Sequence, residues 1–251
     1  MAKLSTSQPS PLSPTRWPTD SFRWPATLAL AASLVAALFI GSLAFAGLFH
    51  VLHVSIGTAK HLNHNALLLS TLAELPVIGL LFIALPRLAR RTLGELGLHQ
   101  IRFRNLGFAF VGALAMILAA GAAGAIEQSL FHLNVHENVI GIFSKNEPRG
   151  WLITMALMAV VFAPFFEELV FRGFIFNAIL RYVPAWGAIA LSAVVFAGAH
   201  FEDPSAFFPL AMAGIVLAFV YYRTGSLVTS MLTHGAFNFI ELSLYLATKH
   251  A

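Results

Sequence analysis

An all-α fold, a polytopic membrane helix bundle of about seven to eight transmembrane helices, is what the sequence predicts, from three observations. Of 251 residues, 58% are apolar and only 10% are charged, whereas a soluble domain carries about 45–50% apolar and about 25% charged residues. Apolar runs recur along the chain, four of them with 22 or more residues, long enough to cross about 30 Å of hydrocarbon as helices. Short polar joints containing Gly or Pro separate them. The same arithmetic excludes an ordinary soluble enzyme, a disordered chain and a nucleic-acid binder working through a basic surface. The chain has no cysteine, so no disulfide framework, thiolate metal site or cysteine nucleophile is possible.

Residues 1–24 are rich in Ser, Thr and Pro and predict a disordered tail. Residues 25–251 predict a single transmembrane domain. The apolar run after the tail is too long for the h-region of a cleaved signal. The spans are predicted at 25–49, 65–86, 105–126, 151–166, 185–200, 206–222 and 226–248. Three of these are short, and each lies beside polar residues, as expected of a bundle interior around a wet cavity. Residues 173–182 predict an amphipathic or partial helix. Pro184, Pro204 and Gly225 mark joints.

Lys and Arg set the expected orientation. Lys3, Arg16 and Arg23 lie in the tail. Arg87, Arg90, Arg91, Arg102 and Arg104 follow the second span, Arg172 and Arg181 the fourth, and Arg223 the sixth. The alternate loops hold Lys60, Lys145 and Arg149, with Glu202 and Asp203 on that side. Seven spans then put the N-terminus in the cytoplasm and the C-terminus outside.

An ionisable residue at the bilayer centre costs about 2.5–3.5 kcal/mol on insertion scales, so each one inside a span needs a reason. Glu167-Glu168-Leu169-Val170-Phe171-Arg172 closes the fourth predicted span. Glu168 and Arg172 are i and i+4 and can pair on one helix face. Glu167 points about 100° away and lacks that partner. Adjacent carboxylates resist joint ionisation, so Glu167 is placed to act as a general base. Otherwise both carboxylates are solvated at a helix end. Phe196-x-x-x-His200 ends a helix whose last turn is Ala197, Gly198 and Ala199, small residues that permit close helix approach. His234-x-x-x-Asn238 lies inside the last span, stacked on one face, with room beside Gly235 and Ala236. Either histidine motif could instead serve the interface or helix packing. Glu241 is a candidate second partner. Glu74, before Leu75-Pro76, is read as structural or gating.

These motifs are spaced by 33 and 34 residues, 167 to 200 and 200 to 234. Folded inward they supply a carboxylate, two imidazoles and a carboxamide: a base, a water-orienting group and donors for a developing oxyanion.

EExxxR, FxxxH and HxxxN on successive helices of a small polytopic chain resemble the CPBP family of membrane proteins, which holds the CAAX prenyl endopeptidases and the Abi-type, bacteriocin-processing-like members. The resemblance covers roughly 150–245, and LGELGLHQ at 93–100 resembles the family's approach to its third span. It implies a glutamate-type, metal-independent intramembrane endopeptidase with no cofactor. Carried over, Glu167 and His200 would activate water, His234 and Asn238 would stabilise the oxyanion, and Glu168 and Arg172 would hold the helix end and orient the base. The expected partners are the lipid bilayer and a hydrophobic or lipidated, CAAX-like peptide or protein, with no nucleic acid. Short loops, Ala-rich spans and compact length suggest a bacterial inner membrane.

Three other readings compete. Glu and two His could ligate zinc, although no HExxH is present. A non-catalytic scaffold or bacteriocin self-immunity protein could share the fold. A proton-relaying transporter or channel could use the same residues, although no inverted repeat is visible.

Overall fold

The computed structural model describes residues 24–55, 57–58, 61–62, 64–89, 94–98, 103–131, 149–200 and 204–250. The expected tail, Lys60, Arg90, Arg91, Arg102, Lys145, Glu202 and Asp203 lie outside the described residues.

The chain is a helical bundle. Helix α1 (Trp24–Val51) leads through a two-residue antiparallel pairing of β1 (Gly57–Thr58) with β2 (His61–Leu62) to α2 (His64–Ala89). A π-type turn over Gly94–Leu98 precedes α3 (Phe103–Phe131). Then α4 (Arg149–Leu157), α5 (Ala163–Glu168) and α6 (Asn177–Leu180) run end to end as one rod, joined by π-helical stretches at Met158–Phe162 and Leu169–Phe176. Three helices follow: α7 (Ala185–Gly198), α8 (Phe207–Thr224) and α9 (Leu227–His250). Among the described residues, five helical segments are long and apolar enough to cross a membrane, Pro25–Val51, Thr71–Leu88, Phe103–Leu130, Gly150–Leu180 and Phe207–Thr224, and Ala185–Gly198 is shorter. Helix α9 has 24 residues and carries the polar His234 and Asn238 in its middle.

The rod corrects the sequence reading. The predicted span at 151–166 and the predicted partial helix at 173–182 are one element, Gly150–Leu180. The EELVFR motif is therefore inside the rod, not at a helix end. The sequence misled because a run of two Glu and one Arg ends a hydropathy window. Here Glu168 and Arg172 are paired and buried and Glu167 is only partly exposed, so the helix does not stop for them.

Helix α7 starts where the rod ends and runs back beside it. At 14 residues it is about 21 Å long and spans only part of a bilayer. Trp186 near the start of α7 stacks on Phe219 near the end of α8, with ring centroids 5.9 Å apart. The rod's end, the start of α7 and the end of α8 thus share one level. Gly225 closes α8 in the left-handed conformation (φ 62°), its N–H donating to Tyr221 O. Gly97 (φ 94°) presses against that turn so closely that a Cβ would stand 2.6 Å from Gly225 O and 2.8 Å from Leu227 N. This contact brings the segment after α2 to the same end, which gathers Arg87, Arg104, Arg181 and Arg223 there.

The packed interior lies between the rod, α2, α7, α8 and the start of α9. Leu81, Leu85, Leu169, Phe176, Ala188, Ala218, Tyr221 and Leu227 are wholly buried in it. Leu, Phe and Val side chains elsewhere, such as Phe39, Phe110, Leu118 and Val161, face outward, as lipid-facing positions do.

Candidate active site

Local chemistry bends the rod where the site is built. Pro164 has no N–H to give. Just before it, Ala163 N–H donates to Met158 O, five residues back. In the same register Pro164 would serve Ala159 O, and cannot. Asn238 of α9 supplies the missing donor, its Nδ2 lying 2.8 Å from Ala159 O. Next to it, Gly235 lets α9 approach until a Cβ would stand only 2.5 Å from Val160 O. The second π stretch is served in the same way from within the rod. Asn177 Nδ2 donates to Arg172 O at 2.6 Å and lies 3.3 Å from Gly173 O. Irregular helix inside a membrane bundle persists where side chains satisfy the freed carbonyls, and π segments concentrate at functional sites.

The expected i, i+4 pair is made. Arg172 Nη1 donates to Glu168 Oε1 at 3.0 Å, with both side chains wholly buried. Arg172 Nη2 donates to Gly214 O of α8 at 3.0 Å, and its guanidinium lies 4.8 Å from the Phe196 ring centroid. A buried charge needs this density of partners to offset its lost hydration. Glu168 reaches further than expected. Its Oε1 is 3.1 Å from His234 Nδ1, and its Oε2 accepts a hydrogen bond from Ser230 Oγ. Glu168 and Arg172 therefore tie the middle of the rod to α8 and α9. Their expected duty at a helix end is corrected, because the motif lies in mid-rod.

Glu167 is one residue and about 100° away. Its two oxygens face the two histidines: Oε1 lies 4.0 Å from His200 Nε2 and Oε2 lies 3.9 Å from His234 Nε2. These gaps exceed a direct hydrogen bond and suit one bridging water. Glu167 Oε2 is buried and makes no hydrogen bond among the described residues. His200 Nδ1 donates to Phe196 O at 2.9 Å, and His234 Nδ1 donates to Glu168. A neutral imidazole that donates through Nδ1 presents a lone pair at Nε2, and both Nε2 atoms face Glu167. Phe196 sits beneath both rings, 4.9 Å from His200 and 6.0 Å from His234 between centroids.

The rod brings the three motifs to one depth. Glu167 stands about 20 Å along the rod from Leu180, and His200 stands about 22 Å from the start of α7. Leu227 packs against Gly173, with its Cδ1 3.6 Å from where a Gly173 Cβ would be. Seven residues onward in one helix and back in the other, His234 and Phe166 share a level. All three motifs meet at one depth although His200 follows the end of its helix.

Of the predicted residues, Glu167, Glu168, Arg172, His200 and His234 come together directly. Asn238 is one turn beyond His234 and bonded to Ala159. Glu74 on α2 lies within electrostatic range of Glu167. Among the described residues, no hydrogen bond or ion pair joins Glu241 to the cluster. The sequence reading missed Ser230 and the bond from Asn238 to Ala159. Ser230 has a signal in hindsight: Ser230, His234 and Asn238 repeat every four residues on one face of an apolar helix. Among the described residues, no group of three or more His, Cys, Asp or Glu side chains is placed to hold a metal ion.

A helical membrane bundle in which buried and partly buried carboxylates and imidazoles converge has the makings of an intramembrane hydrolase. Residues 149–240 match the family model described as type II CAAX prenyl endopeptidase Rce1-like. The match covers 92 of the 251 residues and spans all three motifs, so over this part the chain is similar to a family of CAAX-type intramembrane endopeptidases. No curated protein and no solved structure matches the chain.

Proposed function

We propose that this protein is a glutamate-dependent intramembrane endopeptidase that cleaves a peptide bond of a hydrophobic, membrane-associated or lipidated (CAAX-like) substrate. One observation carries the reading: each oxygen of the Glu167 carboxylate faces a different imidazole Nε2, at 4.0 and 3.9 Å, too far for a direct hydrogen bond and within reach of one bridging water. Glu167 takes a proton from water held there, the oxygen attacks the scissile carbonyl, and collapse of the tetrahedral intermediate breaks the C–N bond as Glu167 returns that proton to the leaving amine. His200 fixes the water through the Nε2 lone pair that its bond to Phe196 O leaves free.

Oxyanion duty for His234 carries a condition. With Nδ1 donating to Glu168, the ring offers a second N–H only as the imidazolium. Asn238 has a second amide N–H beyond the one given to Ala159 and is the other donor. The carboxylates supply no donor of their own when ionised, so these two groups carry the stabilisation.

In this reading the Arg-rich end of the bundle is cytoplasmic by the charge rule, and the host membrane is a bacterial inner membrane. The test is cleavage of a hydrophobic or lipid-anchored peptide by the purified protein in lipid. Glu167→Gln should lower kcat by about 10²–10⁴, and His200→Ala and His234→Ala should each remove most activity while the protein still inserts and folds. Normal cleavage by Glu167→Gln overturns the role of that residue. Loss of activity to a strong chelator, restored by zinc, overturns the metal-free mechanism. Full biological function of Glu167→Ala in cells overturns catalysis in favour of a binding role.

A further inference from the structure

We propose that Ser230 is a positioning residue, whose hydroxyl pins the Glu168 carboxylate so that Glu168 in turn sets the ring of His234. The proposal rests on the peptidase reading for its kinetic consequence and on geometry alone for its structural one.

Glu168 has two oxygens and three side-chain donors around it. Arg172 Nη1 at 3.0 Å and His234 Nδ1 at 3.1 Å both use Oε1. Among the described residues only Ser230 uses Oε2, at 2.5 Å. A carboxylate held through one oxygen is free to turn about its terminal torsion, which is broad. Held through both, it has a defined plane, and Oε1 points at Nδ1 of His234. Ser230 and His234 are i and i+4 on α9, so one helix face delivers both groups to the same carboxylate. Ser230 is wholly buried, so without its hydroxyl no water from bulk replaces the bond cheaply. The hydroxyl also lies 3.3 Å from Leu217 O of α8. That second acceptor defines the rival account, in which Ser230 only fastens α8 to α9.

The two accounts separate in a double-mutant cycle. Ser230→Ala should lower kcat by about 10- to 100-fold, the loss expected for a bond to a charged group, and leave KM unchanged. In a Glu168→Gln background the same substitution should cost nothing further. A second readout needs no turnover. The His234 Nδ1 nitrogen resonance in ¹⁵N-histidine-labelled protein, assigned by its disappearance in His234→Gln, should move in Ser230→Ala. Ser230→Cys, nearly the same size with a weak donor, carries both measurements if the alanine variant does not fold. Additive losses with Glu168→Gln, or an unmoved His234 resonance, overturn the proposal. If no variant and no wild-type protein cleaves any peptide tried, the peptidase reading fails, while the resonance still decides the role of Ser230.

Discussion

Pro164 shows how one residue type reaches the site through the backbone. Proline removes a donor, a carbonyl is left over, and a carboxamide from another helix takes it. The prediction at this scale separates stability from activity. Pro164→Ala restores an N–H to the rod, which favours regular helix, and takes Ala159 O away from Asn238. It should cost about 10²-fold in kcat, the scale of a misplaced catalytic group, without lowering thermal stability. Asn238→Ala should cost about 10²–10³ in kcat if Asn238 is an oxyanion donor. A Pro164→Ala protein with unchanged kcat would show that the bond to Ala159 does not position Asn238.

Among the elements, the rod does the organising. Its two π stretches flank α5, which carries Glu167 and Glu168. Arg172, in the second stretch, bonds to its own rod and to α8, and lies over Phe196 of α7. Removing it strands the buried Glu168 charge. Arg172→Ala should destabilise the bundle by about 3–5 kcal/mol, the cost of breaking a buried ion pair from one side, read as a drop in thermal midpoint in detergent. Stability equal to wild type would show that the pair is not needed to join these helices. The rod also marks where sequence reading stopped. Spacing alone pointed to the bond between Glu168 and Arg172, because i, i+4 neighbours meet on any helix. It did not reveal that the helix continues past them, because hydropathy scores a buried, neutralised Glu and Arg like a solvated pair.

At the scale of the molecule, the stacking of Trp186 on Phe219 and the docking of Gly97 at the turn after α8 put the segment after α2 and the turns at 181–184 and 224–226 at one end. The absence of native cysteine makes this testable. A membrane-impermeant thiol reagent should label Arg181→Cys and Arg223→Cys from the same side of sealed vesicles, and Gly150→Cys from the opposite side. Labelling of Arg181→Cys and Arg223→Cys from different sides would break the shared-depth geometry of the three motifs.

Composition and spacing by themselves determined that this chain is a membrane helix bundle and picked out the polar side chains that the fold brings together. Apolar length and the cost of charge in lipid are local properties, readable one segment at a time. Only the tertiary structure decided how those side chains combine. That Glu168 holds His234, that Ser230 completes its shell, and that Asn238 answers a gap left by Pro164 are bonds across 62 to 79 positions of sequence. No periodicity encodes them, because they depend on the level at which separate helices pack. That level is set by close contacts such as Gly235 on Val160 and Leu227 on Gly173.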